Sequence, residues 1–223
     1  MSNGGNNIPI TTTDAQTRMR LGRKFLEEVV FGQMRQLQTW KTVTNQTSQF
    51  DSGYLAQQLA SILSGIPGTG LRGRGDDLAD GSEVKAANTV QATDTPRWNH
   101  SLRRHEQVIQ HLAKPSIFYV LFDTIERNDA SPFRCRVWRV RPHIDQAYTA
   151  LVESWNRERP QSRYNLQIQP PRWMATNEAS CFGSRIDLPL YFHAEQRELG
   201  ELDYVEVLSF NEDAGVSRVV IQD

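Results

Sequence analysis

Asp77, Glu83 and Lys85 stand close together in the stretch GRGDDLADGSEVKAANT, residues 73–89. Side chains two apart on a strand share a face, so Glu83 and Lys85 project together while Val84 turns to the opposite side, into the core. The pair Asp80-Gly81 favours a tight turn between antiparallel strands, and a short hairpin across it brings the Asp77 carboxylate alongside that of Glu83. Two convergent carboxylates repel each other unless a cation or a proton sits between them. Mg²⁺ suits such a place, because it takes hard oxygen ligands and is usually held by one or two carboxylates, waters and a phosphate. Lys85 is then placed to orient an attacking water or to steady charge on the phosphorus. The chemistry these groups support is hydrolysis of a phosphodiester, with the metal polarising the phosphoryl oxygen and lowering the pKa of the water. Asp80 competes with Asp77 for the first ligand position, but making the turn already occupies Asp80.

Other motifs in the chain carry no chemistry. Gly68, Gly70 and Gly73 match GxGxxG, yet a helix precedes them and strand-like sequence follows, the reverse of a dinucleotide fingerprint. GTGLRGR lacks the Lys-Ser/Thr that ends a phosphate-binding loop, and DDLADG lacks the spacing of a calcium-binding loop. His105 and His111 of HEQVIQH are six apart rather than four and so face different sides of a helix. No GxSxG occurs. Glu27 and Glu28, on a preceding helix, read as surface ion-pairing residues.

Elements that would position the acidic group follow from hydrophobic periodicity. Residues 1–12 are rich in Asn, Gly and Thr and are expected to form a flexible N-terminal arm, with a single domain over 13–223. Thr13 and Gln16 resemble a capping box opening a helix over about 14–40, with Leu21, Phe25, Val29, Leu37 and Trp40 toward the core and Met34 close by. A second helix begins near Tyr54 and stops at Gly65 before Pro67. TGLRGRGDDL and SEVKAANTVQA read as a hairpin, and WNHSLRRHEQVIQHLAK returns to helical spacing through Leu102, His105, Ile109 and Leu112. PSIFYVLFDTIE is a buried strand and FRCRVWRVR another. IDQAYTALVESWNRE is a helix, and RIDLPLYF and DYVEVLSF are later strands. This order predicts an α/β (α+β) domain with a mixed central sheet flanked by helices.

Composition narrows the class. Of 223 residues, 38% are apolar and 23% charged, which fits a globular domain and not a disordered chain. The net charge of −1 gives no global attraction to nucleic acid, so phosphate binding needs local basic patches. Cys135 and Cys181 belong to no CxxC and cannot build a disulfide framework or zinc knuckle. With no signal-peptide pattern and no long apolar run, a cytoplasmic protein without membrane contact is the expectation.

DDLADGSEVK resembles the Asp…(Asp/Glu)-x-Lys motif of the PD-(D/E)xK nucleases, most closely that of type II restriction endonucleases and mismatch-repair nicking enzymes. Asp76 stands where that motif has a proline. The resemblance covers Asp77 to Lys85, and the surrounding order of elements is similar to that superfamily's restriction-endonuclease-like core. It implies Asp77 and Glu83 as metal ligands, the Val84 carbonyl as a further ligand, and Lys85 as catalytic base or water-positioning group. It also implies a prokaryotic protein, Mg²⁺ as cofactor, double-stranded DNA as substrate and a homodimer, since cutting both strands of a palindrome suits two sites related by a two-fold axis.

Binding DNA needs cations and hydrogen-bond donors near that centre. Arg72, Arg74, Arg97, Asn99, His100, Arg103 and Arg104 supply them, and Asn88 and Thr89 are placed to read bases. The arginines of FRCRVWRVR fit either a second basic strand or a solvated edge that blocks aggregation. Trp98 and Trp173 read as packing residues. Three other readings remain: a nicking or structure-specific endonuclease with the same metal site, a non-catalytic DNA-binding protein that would not need the carboxylates, and a metabolic or structural α/β protein that would bind neither DNA nor Mg²⁺.

Overall fold

The run IFYVLFDT is apolar on both sides until its last two residues, and such a strand needs cover on both faces. In the computed structural model, which describes residues 9–46, 51–70, 76–89, 96–124, 133–158, 165–170, 186–199 and 202–219, it is the strand β3, Ile117–Thr124. β3 lies between β1 (Glu83–Thr89) and β4 (Phe133–Val140), followed by β7 (Leu190–Leu199) and β8 (Leu202–Phe210), in the order β1-β3-β4-β7-β8. β1 runs parallel to β3 and the remaining neighbours are antiparallel, so the sheet is mixed, as the sequence predicts.

Period-two alternation divides β3 between two cores. Phe118, Val120 and Phe122 face one that contains Leu26, Val30, Met34, Leu59 and Leu63. Ile117, Tyr119 and Leu121 face another, with Trp98, Val108, Tyr148 and Val152. The first core is covered by α1 (Ala15–Phe25), a π turn (Leu26–Val30), α2 (Phe31–Thr44) and α3 (Ser52–Ser64). The second is covered by α4 (His105–Leu112), α5 (Gln146–Glu158) and the small sheet of β2 (Trp98–His100) with β5 (Leu166–Ile168). Two further short strands, β6 (Ile186–Asp187) and β9 (Arg218–Val219), pair with each other. Among the described residues no helix is long and apolar enough to cross a membrane.

Several local expectations are corrected. Helix α1 is capped by Asp14, whose carboxylate accepts from Thr17 N–H at 2.7 Å, and Thr13 instead donates to the Ile10 carbonyl. The π turn takes an extra residue to complete its turn mid-helix, so the buried face passes through Leu26, Val30, Phe31 and Met34, leaving Leu21 and Trp40 exposed. Gly22 lets α1 meet α3 closely: a Cβ there would lie 2.8 Å from Leu63 Cδ2. Helix α3 ends as predicted, at Gly65 with φ 73°.

Hairpin pairing around Asp80-Gly81 does not form among the described residues. Leu78 makes one isolated bridge to Gly68, and β1 takes β3 as its partner. The segment from Trp98 is a strand before it is a helix; Val108 and His111 are the buried positions of α4, and Ile109 is exposed. β4 is not an edge. Arg134 and Arg136 are buried, both bound to Asp123: Arg134 Nε and Nη2 at 2.9 and 2.5 Å, Arg136 Nη2 at 2.8 Å. Their charges are answered inside the sheet, so the solvated-edge reading of that strand fails.

Candidate active site

Among the described residues β1 is the margin of the large sheet, and its backbone decides how the acidic group is arranged. Glu83 N–H donates inward to the Ser116 carbonyl at 3.0 Å. Successive amides of a strand point to opposite sides, and the N–H and C=O of one residue point the same way. Val84 therefore turns its amide and carbonyl away from β3. That amide donates to Asp77 Oδ2 at 2.7 Å, and Asp77 Oδ1 accepts from Gln57 Nε2 of α3 at 2.6 Å. Asp77 is thus pinned at the margin of β1, between the motif strand and α3.

The turn that returns the chain to β1 is held by Gly81 N–H to Leu78 O at 3.0 Å and by Leu78 N–H to Ser82 O at 3.2 Å. Gly81 has φ 89°, where a side chain would be strained. Asp80 accepts from Ser82 N–H at 2.9 Å and from Ser82 Oγ at 3.0 Å. Both of its oxygens serve the turn.

Glu83 and Lys85 share a face, as the strand period requires, and face the second core. Glu83 Oε1 lies 2.5 Å from Lys85 Nζ, and its Oε2 lies 2.9 Å from Lys114 Nζ. Lys114 also reaches Asp76 Oδ1 at 2.9 Å. Burial pushes the Glu83 carboxyl up, but the two ammonium groups outweigh it and hold it below the usual range. Asp77 shifts the other way. Burial raises it, the Val84 amide opposes that, and repulsion from Glu83 adds to the rise.

Asp76, Glu83, Lys85 and Lys114, but not Asp77, border an open pocket of about 700 Å³, lined also by Asp80, Asn99, His100, Gln107, Gln110 and His111. Behind it runs a buried chain of polar rings. His100 Nε2 meets Tyr119 Oη at 2.9 Å, Tyr119 Oη meets Tyr148 Oη at 2.7 Å, and Tyr148 Oη meets His111 Nε2 at 2.7 Å. Burial lowers both histidines, His111 to about 4, so both are neutral rings near pH 7.

Of the DNA-binding candidates, Asn99 and His100 line the pocket, His100 from a buried position. Arg97, Arg103 and Arg104 are exposed, the last two just before α4, where Gln107 Oε1 accepts from their amides at 2.9 and 3.0 Å. Asn88 Nδ2 donates to Ser52 Oγ at 3.3 Å. The Thr89 hydroxyl is buried and finds no partner among the described residues. Arg72, Arg74 and Trp173 lie outside the described residues. Trp98 is a packing residue, its indole donating to Val120 O at 3.1 Å. Glu28 pairs with Lys24 on the helix surface at 3.7 Å.

Among the described residues no three His, Cys, Asp or Glu side chains converge as a ready-made metal cage. The donor set nonetheless fits Mg²⁺, which needs only one or two protein carboxylates. Asp77 and Glu83 are coupled by mutual repulsion, both oxygens of Glu83 are already turned to cations, and the Val84 carbonyl faces the same open margin as Asp77.

Sequence reasoning missed Lys114, Gln57 and the two tyrosines. Lys114 enters because the parallel register sets Glu83 opposite Ile117, which brings the residues just before β3 beside the start of β1. No local pattern encodes that register. Tyr119 was visible only as one apolar position of a buried run.

A family model described as MamI restriction endonuclease matches residues 39–201, a segment that holds β1, the pocket and β3. The type II restriction enzyme MamI of Microbacterium ammoniaphilum is 41% identical over 148 residues, covering 60% of this chain and 48% of that protein. The chain thus spans about half the length of the curated relative it matches. No solved structure matches.

Proposed function

The chain belongs to the MamI restriction endonuclease family, and we propose that it is a type II restriction endonuclease hydrolysing phosphodiester bonds of double-stranded DNA at a specific sequence, with Mg²⁺ as cofactor. The observation that carries this reading is the pairing of Glu83 with Lys85 on one face of a marginal strand, with Asp77 bonded to the amide of the residue between them. Asp77, Glu83 and the Val84 carbonyl would hold the metal, which when bound would supply polarisation of the phosphoryl oxygen and a lowered pKa for a water.

The protein's own groups do the rest. Lys85 positions the attacking water and balances charge on the phosphate. Gln57 and the Val84 amide fix Asp77, so the ligand does not have to be ordered when the metal arrives. Arg103 and Arg104 stand at the N-terminal end of α4, where the helix dipole opposes their charge. Neither gains from that position within the fold, and DNA phosphates give both a partner. Arg72, Arg74, Arg97, Asn88, Thr89, Asn99 and His100 complete the DNA contacts. Residues 13–223 act as one endonuclease domain in the cytoplasm, and two copies form the dimer that cuts both strands.

Digestion of a long phage DNA with Mg²⁺, alongside Glu83→Ala, tests the reading. Discrete bands that vanish in the variant support it. A smear identical in both lanes, or intact DNA in both, rejects it.

A further inference from the structure

We propose that Lys114 is a second phosphate-binding cation of this site, contacting the DNA backbone in the pocket. This deepens the nuclease reading and rests on it. Lys114 does not belong to the Glu-x-Lys tripeptide. It comes from the junction between α4 and β3, and its ammonium lies 2.9 Å from both Asp76 Oδ1 and Glu83 Oε2.

Charge at the pocket wall argues for more than a strut. Three carboxylates, Asp76, Asp80 and Glu83, face two ammonium groups, Lys85 and Lys114, while His100 and His111 are neutral. The wall is therefore net negative as it stands and would repel a phosphate. A divalent cation taken up by Glu83 reverses the sign. Glu83 then has less to offer each ammonium, because its two oxygens are the ones that Lys85 and Lys114 share. Asp80 cannot take over, since Ser82 occupies both of its oxygens.

An ammonium that loses half its compensation at a half-buried position needs another anion. The pocket is open to solvent on that side, and a phosphate oxygen of the substrate is the anion that arrives with the metal. Lys85 and Lys114 address different oxygens of Glu83 and so flank it on either hand. A backbone phosphate resting against Glu83 would meet a cation on each side.

The test is equilibrium binding to a duplex with Ca²⁺ in place of Mg²⁺, read by fluorescence anisotropy over a salt series, for the wild type, Lys114→Gln and Lys114→Arg. Loss of one phosphate contact is expected to reduce the slope of log affinity against log salt by about 0.9 and to weaken binding about tenfold at low salt. Lys114→Arg should keep the wild-type slope. A purely structural lysine would lower the melting temperature in Lys114→Gln and leave the slope unchanged, and that result overturns the assignment. Lys114→Met replaces the Gln form if the latter does not fold. A wild-type protein that binds no duplex at all defeats the nuclease reading itself, whereas unchanged slopes in a protein that binds defeat only the role of Lys114.

Discussion

The amide of Val84 donates to the carboxylate of Asp77 at 2.7 Å, joining the acidic residue before the turn to the middle residue of the Glu-x-Lys tripeptide. Asp77→Asn keeps an oxygen for that amide and removes the charge a metal needs. Its melting temperature should stay near wild type while single-turnover cleavage falls on the order of a thousandfold, equivalent to about 4 kcal/mol of barrier. Asp77→Ala should in addition cost about 1–2 kcal/mol of stability through the orphaned amide. Wild-type cleavage by the Asn form would remove Asp77 from the metal site.

Lys85→Ala separates binding from chemistry. With Ca²⁺, duplex affinity should fall about tenfold, the loss of one phosphate contact, and with Mg²⁺ cleavage should fall at least about a hundredfold beyond that, the pattern of a group needed also at the transition state. Equal losses in both assays would make Lys85 a binding residue only.

Asp123 answers two buried arginines, and removing it leaves both without their shared carboxylate. Burial has already pulled Arg136 down to about 10 even with Asp123 present. Asp123→Ala should destabilise the fold by about 3–5 kcal/mol, lowering the melting temperature by about 10 °C for a domain of this size. Calorimetry showing a shift under about 2 °C would mean the arginines find other partners.

His111 titrates near 4 in the folded chain against 6.5 for the free group. Its folded pKa is depressed, so the folded state binds fewer protons between those values. The contribution is complete above pH 6.5 and is lost as pH falls toward 4. It amounts to about 3 kcal/mol at most. Melting curves between pH 7.5 and 4.5 should show a shallower decline in His111→Gln than in wild type, with His100 leaving a residual slope. Parallel declines would show that His111 is not buried as a neutral ring.

Elements with a strong period or a continuous apolar run were readable in advance: β3, the extent of α3 up to Gly65, α5 and the mixed sheet. Glu83 and Lys85 on one face follow from strand geometry alone. Of the expected hairpin, residues 71–75 lie outside the described residues; among the described ones Asp80-Gly81 makes the turn it encodes, while β1 takes β3, buried on both faces, as its partner, a choice no turn signal announces. The arginines of β4 read as surface because charge usually marks solvent, and their partner Asp123 sits on another strand. For the same reason Lys114 escaped notice: it joins the acidic group through a register between strands that no stretch of sequence displays. The π turn displaced the buried face of the first helix by a geometric step that composition does not announce.

Among the described residues β1 has a single strand neighbour, and that neighbour runs parallel to it, after a crossover through β2 and α4. During synthesis the acidic tripeptide leaves the ribosome well before Ile117–Thr124 does. Until the later strand arrives, Glu83 has no Ser116 carbonyl to anchor its amide and no Lys114 beside its carboxylate. A nascent or prematurely terminated chain that ends within the crossover carries the full motif yet cannot assemble the centre.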